Sequence, residues 1–520
     1  MMTPLSSIRH CCLWAWLMLS GLALCSQTFP VSAYEPHRDG ETLDTEAIQA
    51  AIDACAAVGG GRVVIQPGRY LIGSLVLKSG VELHLSAGAT LLGSTDLAHY
   101  TAGEGQKGSY FSRSLIYANG AEGISLTGQG TIDGQGRAFW DENFRALERP
   151  RPWLNFVDCT HLRIEGLRLL HSPAHVLALD GCRFVRLTDL HIENDMRGPN
   201  TDGIDLYRCA EVFIQGCYIS TGDDAICFKS RPDRVMENIV VRDCVLESDD
   251  AAIKFGTGSG GINRYISCSN LIIRNTRYAI ALFMIDGGRH EHLSFDHIQI
   301  QTGSRHKTEY PIFIDIDQRK ADSELGQINH LSFSNLDIHT QGNILIAGQA
   351  QAPIRDLHLR NVRMYVAEGM DLSTRSGKPR GNKNLGSQGN VDLSQYPAHL
   401  TLAYIDGLDI DGLYLLADSS SQAVDRHGLY LQGVQQATVR RYRGRSYQAG
   451  GNHAALALRD TRDVLLTQAQ APAQTGTFLQ VLDSLSGGLR LLHNDFSAAE
   501  QPWQVIDGSQ VQSLGNLLPR

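Results

Sequence analysis

The sequence predicts an all-β chain wound as a single-stranded parallel β-helix, a solenoid, with a short helix capping its N-terminal end. Three observations predict it. From about residue 60 short β runs follow one another, starting with RVVIQPGRYLIGSLVLKSGVELHLSAGATLLG and punctuated by Gly, Pro and Ser. Later runs (LRIEGLRLL, VRLTDLHIEN, VFIQGCYIS, IVVRDCVLES, LIIRNTRYAI, LSFDHIQIQ, LSFSNLDIH and LHLRNVRMYV) start mostly every 22 to 28 residues or so, three short strands to a cycle. A strand-built period of that size is the mark of stacked coils. A β-sandwich would instead repeat hairpin turns such as Asn-Gly between paired strands, and the repeated unit argues against that.

The elements follow in chain order. Arg9 and His10 precede an apolar run from Cys11 to Leu24, and Val31-Ser32-Ala33 offers a small-residue cleavage site before Tyr34. Residues 1–33 therefore read as a secretory signal peptide, which places the mature chain outside the cytoplasm, secreted or periplasmic, and off the membrane. An uncleaved anchor and a lipid anchor at Cys25 compete with this; Leu24 just before the cysteine opposes the second. The helix is expected in DTEAIQAAIDACAAV, with Asp44 as N-cap and Ile48, Ile52 and Cys55 on the buried face. It would cover the apolar end of the first coil. Residues 34–520 form one solenoid, interrupted at 367–396 by a polar, strand-poor inserted loop.

Composition narrows the partners. The chain has 520 residues, 19% of them charged, and a net charge of −9 without a basic run, so nucleic acid is excluded as a partner and a monomer is expected. Eight cysteines lie beyond the leader, six of them between Cys182 and Cys268 at spacings near the repeat length. Export permits disulfides, yet stacked buried thiols fit the spacing equally. No CxxC pair or His/Cys cluster suggests a metal site, and no cofactor is called for.

In a solenoid, sequence register becomes spatial proximity. Four coils align on inward-pointing apolar pairs, Ile204/Leu206, Ile226/Phe228, Ile253/Phe255 and Ile280/Leu282, offset by 22, 27 and 27 residues. Aligned residues then lie about 4.8 Å apart. The segment NTDGIDLYRCAEVFIQGCYISTGDDAICFKS places Asp202 beside Asp224, and Asp223 between Thr201 and Asp250. Carboxylates at one strand spacing repel, which raises at least one pKa. Hydrolysis of a glycosidic bond needs a protonated acid for the leaving oxygen and an ionised base for water. Asp223 is placed to be the acid, and Asp202 with Asp224 to share a water, an arrangement that favours inversion of configuration.

From about Asp39 to Gln318 the chain resembles the polygalacturonase family, glycoside hydrolase family 28. The likeness is carried by Asn200-Thr201-Asp202 and Gly222-Asp223-Asp224, which look like that family's NTD and DD motifs. The N-terminal GGGRVVIQPGRYLIGSLVLKSGVELHLSAGATLLGS and GQGTIDGQG at 128–136 add to it. The resemblance implies a right-handed β-helix, Asp223 as general acid, and Asp202 and Asp224 positioning and deprotonating water. Two motifs depart. Asp250-Ala251-Ala252 stands where the family has GHG, and Ala281-Leu282-Phe283 where it has RIK, the basic pair that holds the sugar carboxylate. Gln318 stands where a tyrosine is often found.

The register offers replacements. Lys254 shares the column of Ala281, and Lys229 that of Gly256 and Phe283. The two lysines either bind an acidic substrate or pair with Asp205, Asp223 or Asp250 and balance charge. Asn200, Asp250 and Tyr207 complete the expected substrate-binding set, and Asp249 tunes Asp223 or sits on a solvated turn. His171, His175, His290 and His292 are the candidates for the missing histidine. The expected function is hydrolysis of a pectin-like polysaccharide or oligosaccharide, galacturonan or rhamnogalacturonan. The alternatives are a uronate lyase or epimerase, which would want Ca²⁺ held by carboxylates, and a binding solenoid that has lost catalysis.

Overall fold

A computed structural model describes residues 27–520 except 102–112, 304, 306–307, 321, 368–396, 418–425, 446–451 and 507–510. The expected inserted loop lies outside the described residues except for Ala367, as do residues 1–26 of the expected leader.

The chain winds as a right-handed parallel β-helix. Each strand pairs in parallel with the equivalent strand of the next coil, as Leu177–Asp180, Ile204–Tyr207, Ile226–Ser230 and Val245–Ser259 do in turn. The predicted columns are the observed ones: Ile204 pairs with Ile226, Ile226 with Ile253, and Ile253 with Ile280. Period-2 alternation turns these isoleucines and Leu206, Phe228, Phe255 and Leu282 into the core, where all are fully buried. Phe228 stacks on Phe255 with ring centroids 4.4 Å apart. Each such side chain contributes about 1.5–3 kcal/mol by leaving water.

The helix spans Thr45–Ala57 and buries Ile48, Ala51, Ile52 and Cys55 against the first coil. Asp44 holds the expected N-cap position, its carbonyl accepting from Ile48 N at 3.1 Å, but its side chain makes no cap hydrogen bond. Its buried carboxylate instead accepts from the backbone N–H groups of His37 (2.6 Å) and Arg38 (3.1 Å), tying down the turn before the helix. Upstream, Thr28–Pro30 forms a strand on Arg62–Val64, and the Val31 side chain is fully buried.

All eight cysteines from Cys55 to Cys268 are free and buried. Register stacks Cys159, Cys182 and Cys209 in one column and Cys217 with Cys244 in another. The thiol of Cys182 and burial hold Cys159 well above the ordinary thiol range; burial does the same for Cys227, against the pull of Lys229, and for Cys268, with Cys244 adding. We expect these eight thiols to resist a thiol reagent in the native protein and all to react in denaturant; fast labelling of the native protein would contradict this packing.

Candidate active site

The site lies on the outward face of the strands Leu177–Asp180, Ile204–Tyr207, Ile226–Ser230 and Val245–Ser259 and on the turns that lead into them. Those turns are built for close approach. A Cβ on Gly222 would meet Gly198 N and O and Asp195 O, each at 2.6 Å, so only glycine lets the 222–224 turn lie against the 195–201 turn. The Thr201 hydroxyl accepts from Gly222 N at 3.1 Å and locks the two together. Asn200 takes a left-handed conformation (φ 51°), which asparagine tolerates. Arg149 fixes it by donating to Pro199 O (2.5 Å) and Asn200 Oδ1 (3.2 Å).

This scaffold brings the three sequence-predicted aspartates together. Asp202, Asp223 and Asp224 each present a carboxylate oxygen within 4.8 Å of the other two, and all are nearly buried. Asn200 Nδ2 donates to Asp223 Oδ2 at 3.4 Å, and Asp224 N donates to Asp223 Oδ1 at 3.1 Å. The Asp223 carbonyl accepts from Thr221 Oγ1 (2.8 Å) and Ser248 Oγ (2.7 Å). Asp223 is therefore held by its own turn and by Asn200 and Ser248 of the neighbouring coils.

Both predicted lysines point into the cluster. Lys254, 2% exposed, donates to Asp224 Oδ1 (2.9 Å) and Oδ2 (2.8 Å) and to Asp250 Oδ2 (3.3 Å). Lys229 donates to Asp205 Oδ1 (2.6 Å), Asp202 Oδ2 (3.3 Å) and Tyr207 Oη (3.2 Å). Burial opposes the charge on each lysine, but Asp224 and Asp250 outweigh it at Lys254, and Asp205 at Lys229. Both are raised well above the usual lysine range. Arg277 faces Asp250 Oδ1 at 3.6 Å, and Arg305 binds the buried Asp249 at 2.6 Å.

Of the four candidate histidines, the structure selects His175. It sits one coil before Asp202, with Nε2 3.6 Å from Asp202 Oδ1 and Nδ1 3.5 Å from Asp205 Oδ2. His171 meets Asp133 at the surface, and His292 stacks on Tyr265 and His330. His290 is fully buried against Phe255, and burial drops it to about 4. One expected column fails. Lys229 does not align with Gly256, because the register shifts between Phe228/Phe255 and Ser230/Ser259, leaving three residues opposite one. The extra residues bulge out of the ladder, and Gly258 rather than Gly256 lies against the Lys229 side chain.

The electrostatics keep a proton in the cluster. Burial raises Asp224 to about 8 against the pull of Lys254, with Asp223, Asp250 and Asp202 adding to the rise. Burial also raises Asp202; His175 and Lys229 oppose it, and Asp205 and Asp223 reinforce it. Groups this close titrate as a set, so Asp202 and Asp224 together hold protons above the ordinary carboxylate range. An acid and a base within one site is the pairing that glycosidic hydrolysis requires. Asp202, Asp223 and Asp224, or His175, Asp202 and Asp205, could also hold a cation, in competition with the two lysine ammonium groups.

Beyond the triad the same face changes character. Lys254 is followed in its column by Ala281, Phe313 and Leu345, and Phe283 is followed by Asp315 and Ala347. Sequence reading passed over Asp315, although Ile312, Ile314 and Ile316 point inward and so turn it outward. Its carboxyl is 6% exposed, and burial, with Asp317 adding, raises it to about 8. An unfolded Asp titrates near 4, so the folded state binds the extra proton between about pH 4 and 8, and stability falls as pH rises through that window. Asp315→Asn should match the wild type in denaturation near pH 4 and exceed it near pH 8. An equal difference at both pH values would contradict the burial-driven shift.

Comparison with known proteins agrees with this architecture. The family model described as Glycosyl hydrolases family 28 matches residues 55–370, more than half of the chain. A probable polygalacturonase of Vitis vinifera is 34% identical over 209 residues, covering 37% of this chain and 42% of that protein. An exopolygalacturonase of Cochliobolus carbonum is 25% identical over 290 residues, covering 46% and 64%. The chain thus spans less than two thirds of either relative. In fold it is similar to the family 28 exopolygalacturonase of Yersinia enterocolitica (TM-score 0.55, 19% identity, 79% of this chain and 78% of that one). It is also similar to the exopolygalacturonase of Thermotoga maritima (TM-score 0.53, 21% identity, 65% and 87%). A right-handed β-helix, its aspartate triad and a match over residues 55–370 together establish that the chain belongs to glycosyl hydrolase family 28.

Proposed function

We propose that this chain is an exported hydrolase of glycosidic bonds in pectin-like polysaccharide or oligosaccharide, of the galacturonan or rhamnogalacturonan type. The observation that carries the reading is the convergence of Asp202, Asp223 and Asp224 within 4.8 Å. Asp223 protonates the glycosidic oxygen as the bond to the anomeric carbon breaks. Asp202 and Asp224 hold a water on the other side and take its proton as it attacks. Lys229, Lys254 and His175 keep these two carboxyls in place. The ammonium groups of both lysines are engaged by carboxylates, so charge balance, rather than a clamp on an acidic sugar, is the role we assign them. Asn200 positions Asp223, and Tyr207 supports Lys229.

Inversion is supported by the engagement of the water-side carboxylates. Both oxygens of Asp224 are held by Lys254, and Asp202 faces Lys229 and His175, which suits holding a water better than attacking carbon. Retention is the second reading, because oxygens within 4.8 Å are nearer the roughly 5–5.5 Å of retaining pairs than the roughly 6.5–9.5 Å of inverting ones.

Incubation with pectic oligosaccharides should release reducing ends whether or not a chelator is present, without an ultraviolet-absorbing unsaturated product. Loss of activity on chelation, or an unsaturated product, would move the chain to lyase chemistry. For export, Thr28–Pro30 and Val31 belong to the folded first coil, and Ala23-Leu24-Cys25 offers small residues at both cleavage-defining positions. We therefore place cleavage after Cys25, leaving Ser26 first, rather than after Ala33, and N-terminal sequencing of the exported protein checks it. Among the described residues, no helix is long and apolar enough to cross a membrane.

A further inference from the structure

Building on the hydrolase reading above, we propose that the sugar ring seated on the coils after the triad, over Phe283 and Asp315, carries no charge: it is a neutral sugar, or a uronate whose carboxyl is esterified. Among the described residues, the buried and half-buried cations Lys254, Arg277 and Arg319 are committed. Lys254 is bound by Asp224 and Asp250. Arg277 faces Asp250 and donates to Thr308. Arg319 pairs with Asp286 and donates to the Thr257 carbonyl. Among the described residues, a free sugar carboxylate there would meet no buried cation left unengaged.

It would instead meet Asp315. No hydrogen bond or ion pair from a described residue reaches this carboxyl, which is 6% exposed on the substrate face. Its depth keeps it protonated near neutral pH, so it can donate one hydrogen bond and accept another. The buried Tyr278 hydroxyl, in contact with Phe283 through its ring, likewise has no partner. Buried polar groups without partners cost stability unless a ligand satisfies them. Sugar hydroxyls would do so, whereas a sugar carboxylate would give up its hydration in a poorly solvated place. Ala281, Phe283 and Phe313 pack as one buried apolar cluster beside it, and Phe283, the most accessible of the three, suits the non-polar face of a sugar ring.

The test uses three oligosaccharides of equal length: oligogalacturonate, its methyl ester, and an alternating rhamnose–galacturonate oligomer. Binding is measured by calorimetry to Asp223→Asn, and hydrolysis by the wild type. We expect the ester or the alternating oligomer to bind at least tenfold tighter than oligogalacturonate. Phe283→Arg combined with Asp315→Asn, in the same background, should narrow or reverse that ratio. Equal or tighter binding of oligogalacturonate, or a ratio untouched by the two substitutions, overturns the inference. If the preference holds in binding but the wild type cleaves none of the three, the hydrolase reading fails and the uncharged subsite stands. If the wild type cleaves oligogalacturonate as fast as the others, the subsite proposal fails alone. No binding of any of them overturns both.

Discussion

Asp223→Asn should lower turnover on a cleaved pectic oligosaccharide by about 10²–10⁴-fold, the range for removing a positioned general acid, with little change in KM. The substitution is nearly isosteric. The turn keeps the hydrogen bonds of Thr221 and Ser248 to the residue 223 carbonyl, and the amide oxygen can still accept from Asp224 N. What it loses is the proton for the leaving oxygen. Asp223 also raises the pKa of both Asp202 and Asp224, so a neutral amide in its place relieves the crowding of acids there. Thermal stability should therefore hold or rise near neutral pH, so a loss of activity cannot be ascribed to unfolding. Measuring kcat, KM and Tm on one preparation checks all three. Retained turnover would remove Asp223 from the acid role.

The second large effect is on stability. Lys254→Met should cost about 3–5 kcal/mol, as breaking a buried ion pair does when one charged partner is left behind. Lys254 is 2% exposed and binds both oxygens of Asp224 as well as Asp250, so its removal strands two acids in a site already short of water. Adding Asp224→Asn to Lys254→Met should recover much of the loss, because it removes the more deeply buried of those acids. Urea midpoints of the wild type, the two single variants and the double variant measure the coupling. Additive effects would show that the pair is not an energetic unit. The same substitution frees Asp224 to hold a proton more tightly, so activity should fall along with stability.

Much of this site could be read in advance because a solenoid converts residue offsets into distances. Once Ile204, Ile226, Ile253 and Ile280 are taken as one inward column, offsets of 22, 27 and 27 place Asp202 on Asp224 and Lys254 beside the cluster, and the observed pairings are these. The lysines were legible as neighbours of the acids but not in their partners, since side-chain reach decides between a salt bridge and a substrate contact. His175 was legible only as one of four, although it lies 27 residues before Asp202, the spacing of the neighbouring strands Leu177–Asp180 and Ile204–Tyr207. The shift after Phe255 was hidden because a bulge adds residues without breaking the alternation that marks a strand. Asp44 shows the same limit at the cap. An acid before a helix reads as an N-cap, but the turn at His37 and Arg38 claims its carboxylate. Asp315 was visible in principle in the run PIFIDIDQ, where it alternates with inward isoleucines. A lone acid in a strand signals nothing until its neighbours across the coils are known to be apolar.

The central claim is that the three aspartates work as one acid and a water-holding pair. The most direct measurement follows the anomeric protons of newly released reducing ends by NMR in the first minutes of the reaction, before mutarotation mixes them. The first product should carry the configuration opposite to that of the bond cleaved, and Asp223→Asn should release almost none. A first product with the original configuration would mean that Asp202 or Asp224 attacks carbon directly, and would contradict the assignment of water to that pair.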